Sequence, residues 1–221
     1  MRSKSELVEN YDWDPPKAVR SFEYIAPKIL LILNRLGVQR VLDIGSGYGR
    51  LCNIMAGAGY QAAGVDINLK GIESSQAEYP GIPFYNIGVQ DEPELLLENE
   101  NLFDAVTSTE VVEHLFSPHL LLSFAKAVLR EDGYLIVTTP YHGYIKNLAL
   151  SVLNKWDSHH DPLWIGGHIK FWSRKTLVNL IRENDFDVID FSGVGRIPYL
   201  WKSMVIVAKK RRLSRGTGEN T

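Results

Sequence analysis

The chain has 221 residues, 45% of them hydrophobic and 23% charged, which suits one large globular domain or one domain with a small appendage. A net charge of −2, from 24 basic and 26 acidic residues, gives no global attraction to nucleic acid or to an anionic membrane. The single cysteine, Cys52, excludes an intramolecular disulfide, and no apolar run approaches the roughly 18 residues that a membrane-spanning helix needs.

In chain order, residues 1–6 lack a signal-peptide core, so the expected setting is the cytoplasm, without a transmembrane segment. Residues 1–37 read as an N-terminal helical segment, in which Tyr11 and Trp13 precede an apolar helical stretch over 25–36 that Gly37 stops. Strands are expected over 41–44, 62–66, 83–87, 104–108, 134–139, 187–192 and 204–208. Helical spacing runs over 51–58, where Cys52 reads as a small core residue, and over 118–129 and 176–184. This alternation predicts an α/β fold, a doubly wound sheet covered on both faces. The link over 193–202 is too short for a parallel return, so the seventh strand is expected to be antiparallel.

Two segments, residues 1–20 and 141–168, stand apart from the repeating core, whose domain spans 38–208. Residues 141–168 form an aromatic, histidine-rich excursion after the fifth strand, at the strand edge where ligands bind in open α/β sheets, and read as an insertion cap. Lys209-Lys210-Arg211-Arg212, with Arg215 beyond, reads as a basic disordered tail over 209–221, with polyanion binding as the sharper alternative.

The most informative stretch is Val41-Leu42-Asp43-Ile44-Gly45-Ser46-Gly47-Tyr48-Gly49-Arg50. A strand that breaks into glycines and reopens as a helix lets a ligand approach bare backbone and offers it unpaired N–H groups. A dinucleotide fingerprint wants G-x-G-x-x-G, but position 50 is Arg and the loop is G-x-G-x-G opened by Asp43. That form resembles motif I of the class I S-adenosylmethionine (SAM) dependent methyltransferases. Asp66, about 20 residues on, can accept both hydroxyls of a ribose, which suits NAD equally well.

The fourth strand runs into Glu110-Val111-Val112-Glu113-His114-Leu115, and a helix and Asp132-Gly133-Tyr134-Leu135 follow. This string resembles the methyltransferases of ubiquinone biosynthesis. With motif I and Asp66 the resemblance spans roughly 38–140 and selects SAM over NAD. It implies a seven-stranded methyltransferase sheet and a cofactor site of Asp43, Gly45, Ser46, Gly47, Tyr48, Gly49, Asp66 and Ile67. Val89 and Gln90 would flank adenine, and Glu110 would lie near the methionine part.

Glu110, Glu113 and His114 stand at i, i+3 and i+4, so on a helix they share one face and can hold a divalent cation such as Mg²⁺. Gly166-Gly167-His168-Ile169-Lys170-Phe171-Trp172-Ser173 resembles the second histidine segment of the small-RNA 3′-end methyltransferases, whose metal sites are Glu-Glu-His-His. That resemblance supplies His168 as a fourth ligand; metal-free relatives carry a similar acidic-His turn. All six histidines fall between 114 and 168, which favours a base or metal role, with His114, His142 and Glu113 as catalytic candidates and His119 as a polar helix start. Trp156, Trp164, Trp172, Tyr141 and Tyr144 line a pocket or pack a subdomain, the apolar stretch at 147–153 is a candidate membrane contact, and Tyr11 and Trp13 are candidates to close over the cofactor.

The expected reaction is methyl transfer to an oxygen of a small, aromatic acceptor, with a cation or a histidine dealing with the hydroxyl proton. The ubiquinone-type resemblance favours oxygen, although the excursion departs from that pattern. A terminal RNA ribose is the alternative acceptor, and the absence of a basic stripe counts against nucleic acid. N- or carboxyl-methylation and a non-catalytic SAM-binding module complete the set.

Overall fold

The computed structural model describes residues 15–160, 163, 164 and 166–212, and only the backbone of residues 15–20 and of Ser158. One sheet contains β1 (Arg40–Ile44), β2 (Gln61–Val65), β3 (Phe84–Tyr85), β4 (Phe103–Thr109), β5 (Leu129–Pro140), β6 (Phe186–Val194) and β7 (Ser203–Lys210). Their spatial order is β3-β2-β1-β4-β5-β7-β6. The pairings from β3 to β5 are parallel, and β7 runs antiparallel to both β5 and β6. The sheet is thus the expected α/β type with a reversed seventh strand. Its order turns back between β1 and β4, which opens a crevice beyond their carboxyl ends.

Period-2 alternation divides the strand side chains between two cores. Leu42, Val106, Val137 and Ile206 point to one face, under α5 (His119–Val128) and α8 (Arg174–Glu183). Val41, Ala105, Ile136 and Val207 point to the other, under α1 (Pro15–Leu36) and α2 (Arg50–Gly57), where Ile29, Leu33 and Cys52 are fully buried. Phe124 and Phe186 anchor the first core and Ile25 and Met55 the second.

Several elements differ from expectation. The first helix begins at Pro15, ahead of its apolar stretch. A helix without clear apolar spacing, α3 (Leu69–Glu78), follows β2; Asn68 caps it by accepting the Gly71 N–H at 3.2 Å. The short α4 (Glu94–Leu97) precedes β4, while β3 keeps two of five expected residues. The excursion after β5 contains α6 (Tyr144–Val152) and α7 (Trp156–His160). No helix among the described residues is long and apolar enough to cross a membrane.

The basic run is a correction. Lys209 and Lys210 belong to β7, Lys209 pairs with Asp132 at 3.0 Å, and Arg211 pairs with Asp187 at 2.9 Å. Arg212 also pairs with Asp132. Opposite charges on neighbouring strand ends therefore hold 209–212 to the sheet. The rest of the expected tail, and Tyr11 and Trp13, lie outside the described residues.

Candidate active site

The glycine loop is shaped by backbone that side chains tolerate poorly. Gly45, Gly47 and Gly49 have φ of 79°, 54° and 71°, the left-handed region that glycine enters without strain. A Cβ at Gly45 would collide with Val111, and one at Gly49 would lie 2.6 Å from the Phe84 ring, whereas at Gly47 it would meet nothing. Beneath the loop, Asp43 is buried and accepts the Thr107 hydroxyl at 2.8 Å; burial raises its carboxyl to about 7. Asp66, at the tip of β2, accepts the N–H groups of Gly47 and Asn68, both at 2.8 Å. It thereby ties the loop to the start of α3, and its own burial raises its pKa.

A cavity of about 560 Å³ opens over these groups, within the size range of small-molecule sites. Gly45, Ser46 and Tyr48 line it from the loop, Asp66 and Ile67 from the end of β2, Val89 and Gln90 from the next connection, and Glu110 and His114 from the far end. Asp43, Gly47 and Gly49 stand behind the lining, where they set the loop's shape. Ser46 Oγ is buried there without a hydrogen bond. Sequence reasoning missed Ser21 and Phe22 of α1, as well as Arg50, Tyr79 and Phe116. The Arg50 guanidinium sits 5.6 Å from the centre of the Phe22 ring, a contact across the fold that no local pattern announces.

The far end overturns one geometric expectation. Glu110, Glu113 and His114 do not share a helix face, because only a 3₁₀ turn (Val112–His114) forms and Glu110 lies outside it at φ 56°. The Glu110 N–H is held by the Thr138 hydroxyl at 3.1 Å, which keeps β4 engaged with β5 and delays any helix. Its carboxylate accepts the hydroxyls of Thr138 at 2.9 Å and Ser203 at 3.2 Å, and burial raises it to about 7.

Glu113 and His114 meet His168 instead. Backbone N–H groups of Ile169 and Lys170 both donate to the Glu113 carbonyl at 3.0 Å, which brings the excursion's far end onto the turn. The ligand atoms of Glu113, His114 and His168 lie within 4.8 Å of one another, and Glu110 is not in this group. Glu113 Oε2 accepts the Thr139 hydroxyl at 2.9 Å, whereas its buried Oε1 has no hydrogen bond and faces His168 Nε2 at 3.9 Å. Burial and the nearby Glu110 charge push the Glu113 carboxyl well up. Desolvation lowers His114, and lowers His168 to about 3, so both are neutral near pH 7. His114 Nδ1 lies 2.8 Å from the Gly166 carbonyl, which selects the Nδ1–H tautomer and leaves a lone pair on Nε2.

His142 is not part of this group. It is buried, with ring centroids 5.6 Å from His159, 5.8 Å from His160 and 5.1 Å from Phe171. His119 is exposed at the first position of α5, as a polar helix start. The aromatic residues divide their roles: Trp172 is core, Trp164 stands edge-on to His114 and His168, and Tyr144 is 82% exposed.

Residues 17–190 match the family model described as a methyltransferase domain. The ubiquinone biosynthesis O-methyltransferase of Glaesserella parasuis is 31% identical over 146 residues, covering 62% of this chain and 61% of that protein. The enzyme of that name from Bartonella quintana is 28% identical, over 79% of this chain and 74% of its own length. The chain thus spans less than two thirds of the first relative. The fold is similar to 1,6-didemethyltoxoflavin-N1-methyltransferase of Burkholderia thailandensis, solved with S-adenosylhomocysteine, at a TM-score of 0.66 and 19% identity, over 95% of this chain and 87% of that one.

Proposed function

Because the chain belongs to the methyltransferase domain family, and so to the class I SAM-dependent methyltransferases, we propose that it methylates an oxygen of a small, aromatic acceptor. One observation supports this reading: a single cavity is lined by Asp66 at one end and by Glu110 and His114 at the other, so a cofactor site and two titratable groups share one space.

When bound, SAM supplies an activated methyl group on a sulfonium. Asp66 accepts the ribose hydroxyls, Ile67, Val89 and Gln90 flank the adenine, and Gly45, Ser46 and Tyr48 receive the amino-acid portion, with Glu110 nearest its methionine part. The protein then aligns an acceptor hydroxyl and takes its proton. Without a metal, His114 suits that role, since it is neutral near pH 7, lines the cavity and keeps an unprotonated Nε2.

Glu113, His114 and His168 also fit a divalent ion, which would lower the acceptor's pKa. The unbonded Glu113 Oε1 favours this form, because a cation would satisfy it and displace its proton. Two imidazoles and one carboxylate suit a first-row transition ion better than Mg²⁺, which prefers oxygen donors, and Glu110 is not there to supply one.

Calorimetry with SAM and S-adenosylhomocysteine, then turnover of a panel of phenols, catechols and amines with and without EDTA, tests the reading. SAM binding, oxygen methylation and loss of activity in EDTA are expected. Absence of SAM binding sinks the whole reading, turnover of amines alone sinks the oxygen acceptor, and full activity in EDTA sinks the metal.

A further inference from the structure

Glu110 is held more firmly than a loop carboxylate needs to be. It directly follows β4 and has φ 56°, a left-handed conformation that is strained for a residue with a β-carbon. Strain of this kind persists only where the surroundings impose it, and it gathers at ligand-binding positions. Here one residue of β5 imposes it. Thr138, fully buried, accepts the Glu110 N–H at its hydroxyl oxygen (3.1 Å) and at its carbonyl oxygen (3.2 Å). The same hydroxyl donates its proton to Glu110 Oε1 at 2.9 Å, so a single side chain fixes both the backbone and the carboxylate.

The second oxygen is fixed from β7. Ser203 opens that strand opposite Pro140, is buried, and donates its hydroxyl to Glu110 Oε2 at 3.2 Å. Each carboxylate oxygen thus has one hydroxyl donor, which favours the ionised form. Lys146 also acts on it through its charge, yet among the described residues no hydrogen bond or ion pair joins this carboxylate to a cationic side chain. Glu110 lines the cavity. An aimed carboxylate, bonded only to neutral hydroxyls, therefore faces the ligand space.

We propose that Thr138 and Ser203 are positioning residues: a pair of hydroxyls that hold the Glu110 carboxylate as counter-ion for a cationic group of the bound cofactor. SAM carries two such groups, its sulfonium and its amino-acid ammonium. The proposal rests on the SAM reading and deepens it, because it gives the cofactor's charged end to residues of β5 and β7 that lie outside the glycine loop. Fixing the carboxylate beforehand removes the entropy cost of ordering a long side chain on binding. Its attraction to a cation is also stronger once the ligand has displaced water from the cavity.

Calorimetry on the full chain tests this with three ligands that share an adenosine: SAM, S-adenosylhomocysteine, which lacks the sulfonium, and methylthioadenosine, which lacks both charged groups. Thr138→Val, which keeps the shape and loses the hydroxyl, and Ser203→Ala should each weaken SAM about tenfold or more. Methylthioadenosine should bind both variants as it binds the parent, and Thr138→Ser should restore SAM affinity. A parallel loss for S-adenosylhomocysteine identifies the ammonium as the partner, and a loss for SAM alone identifies the sulfonium; either supports the proposal. An equal loss for methylthioadenosine would show general damage to the cavity and overturn it, as would no recovery in Thr138→Ser. A parent that binds all three ligands while both variants keep full SAM affinity would sink the hydroxyl pair alone. A parent that binds none would sink the SAM reading and the proposal with it.

Discussion

The two ends of the cavity are built from different material. At the β1–β2 end the wall follows a loop whose main chain is shaped by three left-handed glycines and tied down by one carboxylate, Asp66. At the β4 end the polar groups are side chains, Glu110 and His114, and His114 gathers with Glu113 and His168, residues far apart in sequence. A site made of backbone is written in local stereochemistry, because few residues adopt those angles. A site made of side chains depends on how an excursion folds back, which no short pattern records.

Mutations can press on that contrast from both sides. The largest effect is expected at Asp66: Asp66→Ala removes a charged acceptor that also holds Gly47 and Asn68, and should weaken SAM binding about 100-fold by calorimetry. At the other end, His168→Ala or Glu113→Gln should lower turnover about 10- to 100-fold with SAM affinity within a few-fold of the parent. Loss of SAM binding in either of these variants would mean that the ends are not separable.

Within the glycine loop the contrast sharpens to single positions. Gly45→Ala meets both a strained φ and Val111, and should cost about 2–3 kcal/mol, a fall in Tm on the order of 5–10 °C. Gly47→Ala meets only the strained φ and should cost about 1 kcal/mol. Equal destabilisation would show that packing against Val111 is irrelevant.

Protonation should act on the β1 region and on the excursion after β5 with opposite sign. Asp43 is raised to about 7, so the native state holds its proton more tightly than the unfolded chain, and its contribution to stability falls as pH rises from about 4 to 7. His142 and His159 are lowered to about 4, so the native state rejects their protons, and that contribution is lost as pH falls from about 6.5 to 4. Hydrogen exchange, corrected for intrinsic rates, should show α6 and α7 opening at pH 5 and the β1 region loosening above pH 7. Asp43→Asn should gain Tm relative to the parent at pH 8 but not at pH 5. The smallest effect belongs to Arg212→Ala, an exposed ion pair worth under about 0.5 kcal/mol by denaturant titration.

The same contrast explains what was legible in the sequence. Strand–helix alternation and the short link before Met204 were enough to give the sheet and its reversed last strand. The helix over Leu69–Glu78 was illegible because its sequence, Leu-Lys-Gly-Ile-Glu-Ser-Ser-Gln-Ala-Glu, lacks an apolar stripe and contains Gly71; Asn68 capping and the loop packed on it hold it instead. Glu110 was placed with Glu113 on the assumption of a helix, and the Thr138 hydroxyl defeated that by holding the Glu110 backbone on β5. His168 was placed through a resemblance, whereas Phe22, which approaches the cavity from α1, left no mark in the sequence near the glycine loop.

The position of β7 governs how this protein is made. β7, the last strand among the described residues, sits inside the sheet, between β5 and β6, and supplies every hydrogen-bonded partner on β5's outer side. A nascent chain that has emerged only to residue 202 therefore presents β5 as an open edge and leaves β6 without a neighbour, a template for pairing with another chain. Completion of the sheet waits for β7 to leave the ribosome, and a stop within Ser203–Lys210 should yield aggregate rather than a shortened, folded protein.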